Sequence, residues 1–401
     1  MNNKLDLATL QSAVRGSAAA FRCRRRLQPA GGPGDKVFPP TYAGAVYAVE
    51  QRRVPGRAEP VTCVLLDSVQ SQANRMEAAL QEAVDAKSMK LPLLVVDFSK
   101  SELPEPVGKL TSLQLPHRYA DAILRDSEHE GKRFRESDAA KGLNAATPLN
   151  ATALFELCPT ALVFGAWDST GPKGGLGTKF ERAMVSETVG FGASISEHHK
   201  NLGIRKDPLE ASRSVPLLRN EDKTWKVSHD PKQKGVIRPS EVNHGSVPFS
   251  NDNAGVTIDY AEQITTLSLI CLRRLRFPVA KPAPDQTAAN AAAQTVLAAL
   301  GLSAAALAFE TGMGLRSRCL LWPEGPMTWE LLAKPGEKPQ EFILTGTEAV
   351  DLLKAAVTAA KSAGVVWREA PLPLTPSAEL VKLVQLSQEQ AKKSGGETEG
   401  D

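Results

Sequence analysis

The chain has 401 residues, of which 42% are hydrophobic and 23% charged, the balance of a folded globular protein with one large domain carrying insertions or two to three smaller ones. A net charge of +3 does not by itself point to nucleic acid, and five scattered cysteines with no CxxC exclude a zinc ribbon or a disulfide framework. No apolar run reads as the span of about 18 residues that a membrane helix needs, and the start MNNKLDLATLQSAV lacks the basic-then-apolar order of a signal peptide, so a cytoplasmic protein with reduced thiols is the expectation.

In chain order, residues 4–14 predict a short helix with Leu7, Leu10 and Val14 on one face, followed by a strand over 18–27 and a Gly/Pro loop, QPAGGPGDKVFPPTY. VTCVLLD (61–67) reads as a buried strand, SVQSQANR opens a helix with Met76, Leu80 and Val84 in phase, and LPLLVVDF is the next strand. Pro116 predicts a helix through Arg125. TALVFGAW (160–167) reads as a strand, DSTGPKGGLGTK as a Gly-rich loop and FERAMVSETV as a helix. Between 196 and 253 the periodicity breaks down into a polar, basic, proline-punctuated insertion. Residues 256–276 predict a long helix with Ile264, Leu267, Ile270 and Leu275 in phase. An Ala-rich helix follows, then strands at AALAFE and LRSRCLLW and a last helix near 347–363. The expected organisation is an α+β core of ferredoxin-like type over 1–280, interrupted by the basic insertion at about 196–255. Helices and strands over 281–385 complete that core or form a lid, and a disordered tail covers 386–401.

The distribution of charge is more telling than its sum. Residues 7–34 contain five arginines and no acid, and residues 200–238 contain ten Lys/Arg against five Asp/Glu. In the strand FRCRRRL, alternation puts Arg22, Arg24 and Arg26 on one face and Phe21, Cys23 and Leu27 on the other, interrupted by Arg25. Three neighbouring guanidiniums repel unless an anion bridges them, and phosphate oxygens fit the Arg fork; a solvated edge strand that uses charge against aggregation is the bland alternative. Lys36 stands in the adjoining loop. Arg316 and Arg318 share a face of LRSRCLLW. In the Gly-rich loop, Lys173, Gly174, Gly175 and Lys179 suit a phosphate cradle or a plain tight turn, while the residue order excludes a P-loop. Ser71, Gln72, Asn74 and Arg75 form a polar run at a helix start, able to donate to phosphate or ribose, or, for Ser71, to cap the helix.

Catalytic patterns are thin. His117 and Asp121, spaced i,i+4, fit a structural pair better than a general base, Asp168 at a strand end lacks partners, and there is no GxSxG, no HExxH and no metal-ligand spacing. Neither a catalytic residue, a metal nor a cofactor is expected. Aromatics are 5% and no RNP-type aromatic run exists, so arginines and main-chain donors, without stacking aromatics, are expected to hold a strand by its backbone.

RCRRRLQPAGGPGDKVFPPTY, LLDSVQSQANRMEAAL, LTSLQLPHRYADAILRDS, ALVFGAWDSTGPKGGLGTKFERAMVSE, RPSEVNHG, VTIDYAEQITTLSLICLRRLRFP and ALAFETGMGLRSRC, in this order from about residue 12 to 320, resemble one family: the RAMP-superfamily (Cas-seven group) backbone subunit of type I-G, formerly I-U, CRISPR effector complexes. The resemblance implies a modified RRM palm with thumb-like or finger-like insertions. It implies a guide RNA (crRNA) along which copies stack head to tail, a target DNA strand paired to that guide, a large subunit and a fused five-and-six-type subunit. The loop aspartate with which some related backbone subunits cleave RNA finds no match, so a non-enzymatic protein is expected; the competing expectation is a guide-processing endoribonuclease using His117 or Asp168.

Overall fold

The computed structural model describes residues 3–43, 46–169, 177–195, 255–279 and 285–394, together with short stretches between 204 and 248. Helix α1 (Leu7–Arg15) is capped by Asp6, which accepts from the Thr9 amide at 2.8 Å, and it buries Leu10, Ala13 and Val14. Strand β1 (Ala20–Pro29) keeps the alternation read in the sequence: Phe21, Cys23 and Leu27 are buried, Arg24 and Arg26 exposed. After β2 (Val49–Arg52) and β3 (Val61–Asp67) comes α2 (Val69–Asp85), which buries Met76 and Leu80. Its cap is Ser68, whose hydroxyl accepts from the Ser71 amide, so Ser71 is not the capping residue. The following strand β4 (Leu94–Asp97) leaves this sheet for a separate five-stranded one.

From here several elements differ from the sequence expectation. TALVFGAW is not one strand but a helical turn, α3 (Thr160–Phe164), and a short β5 (Ala166–Trp167), which pairs with β6 (Lys179–Phe180) as an antiparallel hairpin. The expected helix after it is β7 (Met184–Phe191), and the expected long helix over 256–276 is β8 (Tyr260–Ser268) followed by α4 (Leu269–Arg273). Both strands turn polar residues inward, Ser186 and Thr188 on one and Gln263 and Thr265 on the other, and this hides their two-residue period. The Ala-rich helix α5 (Gln286–Phe309) absorbs the expected strand AALAFE. LRSRCLLW belongs to a hairpin of β9 (Met313–Arg316) and β10 (Cys319–Pro323), not one continuous strand. Then come β11 (Thr328–Leu332), β12 (Gln340–Ile343), α6 (Gly346–Ser362), β13 (Leu372–Pro376) and α7 (Ala378–Ser394). The last helix corrects the tail expected from 386: good helix formers carry it through Ser394.

The fold class is α+β. Ten strands form one curled sheet whose main path runs from the two-residue strand Asn3–Lys4 through β12, β11, β1, β8, β7 and β3 to β2; β10 also pairs with β1, and β9 pairs with β10. The central neighbours β11, β1, β8 and β7 are antiparallel throughout. Helices α2 and α5 back the sheet. Alone among the described residues, α5 is long and apolar enough to cross a membrane, a run missed in the sequence because alanines dilute it; it is nearly all buried, as the core of this layer. Gly301 lets it approach closely, since a Cβ there would lie 3.1 Å from the Met184 methyl and 3.3 Å from Leu267. A second unit comprises residues 194–256 and 389–401. Its described part contains a three-stranded antiparallel sheet of Leu217–Arg219, Trp225–Val227 and Val236–Ile237.

Candidate nucleic-acid interface

The outward row of β1 carries its own counter-ions. Arg22 donates to Glu330 at 2.7 Å, and Arg24 donates twice to Glu262, at 2.7 and 3.1 Å. Arg26 lies 3.9 Å from Glu324 and places its guanidinium 3.9 Å above the Tyr260 ring, which stacks on Phe191 with centroids 5.1 Å apart. The repulsion within the row is therefore relieved by carboxylates from neighbouring strands without any phosphate, and β1 is a central strand, not an edge. Arg25 points the other way. It is buried beneath the sheet and donates to the Phe309 carbonyl at 2.6 Å, at the carboxyl end of α5, where the helix dipole favours a cation. Burial pushes its pKa down.

A second group of the predicted residues converges at the start of α2. Arg75 donates to Asp67 at 2.9 Å and to the carbonyls of Gly314 and Leu315 at 3.2 and 2.6 Å. Arg316 reaches the same place from β9, donating to the Phe38 and Leu66 carbonyls at 3.2 and 2.8 Å and standing 3.6 Å from Asp67. Arg318, in the hairpin turn at φ +57°, lies 4.3 Å over the Phe38 ring. Lys36 is two residues from Phe38, and exposed Asn74 and half-buried Ser71 sit on the first turns of α2. Arg75 and Arg316 thus meet at one buried carboxylate, Asp67, at the positive end of a 17-residue helix, with Arg318 in the adjoining hairpin turn. Fixed arginine forks, an exposed arginine and a helix N-terminus together suit a polyanion.

Gln72 does not belong to this surface. It is fully buried, donating to Asp67 at 2.5 Å while its carbonyl oxygen accepts from Ser186 Oγ and Gln263 Nε2, each at 2.9 Å. Lys173, Gly174 and Gly175 lie outside the described residues. Lys179 stands on β6, 5.7 Å from the Trp167 ring, so the loop joins two strands of a hairpin and no helix N-terminus follows it. His117 meets Asp121 through its backbone amide at 3.2 Å, not its imidazole. Asp168 is buried and paired with Arg135 at 2.9 Å. Among the described residues no cluster of His, Cys, Asp and Glu could hold a metal, and the five cysteines are unbridged; burial pushes the Cys23 thiol up to about 12.

Phe38 adjoins the cationic group and Trp322 lies further along β10, yet neither charge nor spacing singles them out. Trp322 stands on β10, which carries no arginine itself but pairs with β1, Trp322 opposite Gln28. Strand alternation turns Leu320 and Trp322 to one face of β10, but only the structure shows that this face is exposed.

These features describe an α+β protein with a cationic cluster beside the N-terminus of α2. Residues 21–195, less than half of the chain, match the family of CRISPR-associated protein GSU0053, which indicates a CRISPR-associated protein. No curated protein matches the chain. The matched stretch runs from β1 past the end of β7; it includes Lys36 and Arg75 but stops short of Arg316 and Arg318.

Proposed function

We propose that this chain is a non-catalytic, cytoplasmic backbone subunit that binds the guide RNA of a type I-G CRISPR effector complex, stacks along it in head-to-tail copies and presents it to a target DNA strand. The observation that carries this reading is the convergence of Arg75 and Arg316 on Asp67 at the α2 N-terminus, with Arg318 in the adjoining hairpin turn, in a chain with a CRISPR-associated match. The sheet supports an RRM-like palm. With β2, β3, β9 and β10 set aside as additions to the sheet, β1 is followed by α2 and then β7, which runs the same way one strand removed; the chain returns as β8 between them, then passes through α5 to β11 on the far side of β1. Those six elements follow the βαββαβ order of ferredoxin-like folds, which supports this reading, with the basic insertion between β7 and β8. The large subunit and the fused five-and-six-type subunit are the protein partners this reading implies. Incubation of the purified chain with repeat-containing guide RNA tests it: RNA binding without cleavage is expected. Cleavage of the RNA would turn the reading to an endoribonuclease, and absence of binding would remove it altogether.

A further inference from the structure

β10 turns two large apolar side chains to solvent on one face, Trp322 at 62% and Leu320 at 56% exposure. Neither has a bulky neighbour on the adjoining strand. Gly314 is opposite Leu320, and Gly312 lies beneath the indole, where a Cβ would come within 2.8 Å of the Leu321 carbonyl and 3.7 Å of Trp322 Cε3. Gly312 also holds φ +111°, a conformation open to glycine. The two side chains therefore sit on a flat, open shelf. On the β1 side the shelf meets Gln28, which donates to Glu324 at 2.9 Å, and then Arg26. At its other end is the hairpin turn with Arg318 and, behind it, Arg316 and Arg75.

Exposed apolar surface of this kind marks a contact site. A flat indole between two arginine-bearing positions matches the combination that holds single strands, a stacked base with phosphates on flanking cations. We propose that Trp322, supported by Leu320, is a stacking shelf for a base of the single-stranded RNA held by Arg75, Arg316 and Arg318. This rests on the RNA-binding reading above and adds a base contact to it. Every base offers a π-face, so the contact discriminates little between sequences.

The test compares a short mixed-sequence single-stranded RNA with an abasic strand of the same length, for the intact chain and for Trp322→Ala and Trp322→Phe. With the RNA, Trp322→Ala is expected to weaken binding roughly 5- to 150-fold, the cost of losing one stacked base, and Trp322→Phe to restore most of it. With the abasic strand all three proteins should bind alike. Thermal unfolding confirms that the variants fold, as the exposed side chain predicts. Equal loss on both strands, or no loss on either, overturns the shelf while leaving the RNA-binding reading in place. Unchanged RNA affinity with loss of self-association in sedimentation would reassign the face to a protein contact. If the intact chain binds neither strand, the RNA-binding reading falls and the shelf with it.

Discussion

Arg24 and Arg318 carry the same charge in different surroundings. Arg24 donates two hydrogen bonds to Glu262, a carboxylate whose side chain is only 7% exposed, so removing it strands a buried charge. Arg318 leans on a ring and sits at φ +57°, where a side chain is strained and glycine is not. Arg24→Ala is therefore expected to lower stability by about 1–3 kcal/mol and to change the salt dependence of RNA binding little, because its charge is already balanced. Arg318→Gly should fold at least as stably as the parent and lower the slope of log K against log salt by about 0.7, the value for one phosphate contact on a single strand. Chemical denaturation and a salt titration of guide binding check both substitutions. The reverse pattern, a stable Arg24→Ala with a reduced slope and an unaltered slope for Arg318→Gly, would return the phosphate contacts to the β1 row.

At the level of elements, a buried polar band joins α2 to three strands. Asp67 of β3, Gln72 of α2, Ser186 of β7 and Gln263 and Thr265 of β8 are linked by hydrogen bonds of 2.5–2.9 Å. Gln72→Ala removes the centre of that band and leaves several buried groups unpaired, so a loss of about 1–3 kcal/mol is expected, with guide affinity of the folded protein unchanged; a large loss of affinity at unchanged stability would put Gln72 back on the RNA surface. The same band explains what the sequence made legible. β1, β3 and α2 separate apolar from polar positions cleanly, and their elements and arginine alternation are readable from the residues alone. β7 and β8 place Ser, Thr and Gln on the core side, and with the contrast gone the residues mimic helical spacing. α5 is buried all round, so its alanines give no amphipathic signal at its carboxyl end. At the site, Arg75, Arg316 and Arg318 were legible as charges, but their meeting depends on the β9–β10 hairpin folding back to Leu66 and Phe38, a long-range contact that spacing does not encode.

For the molecule as a whole, the basic insertion leaves and re-enters the sheet at one point, since Phe191 at the end of β7 pairs directly with Tyr260 at the start of β8. Bridging that gap with a short turn would leave an ordinary antiparallel hairpin and keep every central strand partner. The insertion itself is polar and rich in Lys and Arg between 200 and 238, a composition suited to contact with a polyanion or with an acidic face of a neighbouring copy. Head-to-tail contacts that do not close give an open filament, and the RNA then sets its length. Deleting residues 200–240 is accordingly expected to give a folded protein that still binds a short RNA through the cluster at α2, more weakly than the parent, but forms no long assembly on guide RNA. Size-exclusion chromatography with and without the guide reads this directly. If the deleted chain elutes in the same high-mass particle as the parent, the insertion is not the element that joins copies, and the region after Trp322, from β11 to α7, becomes the surface to dissect.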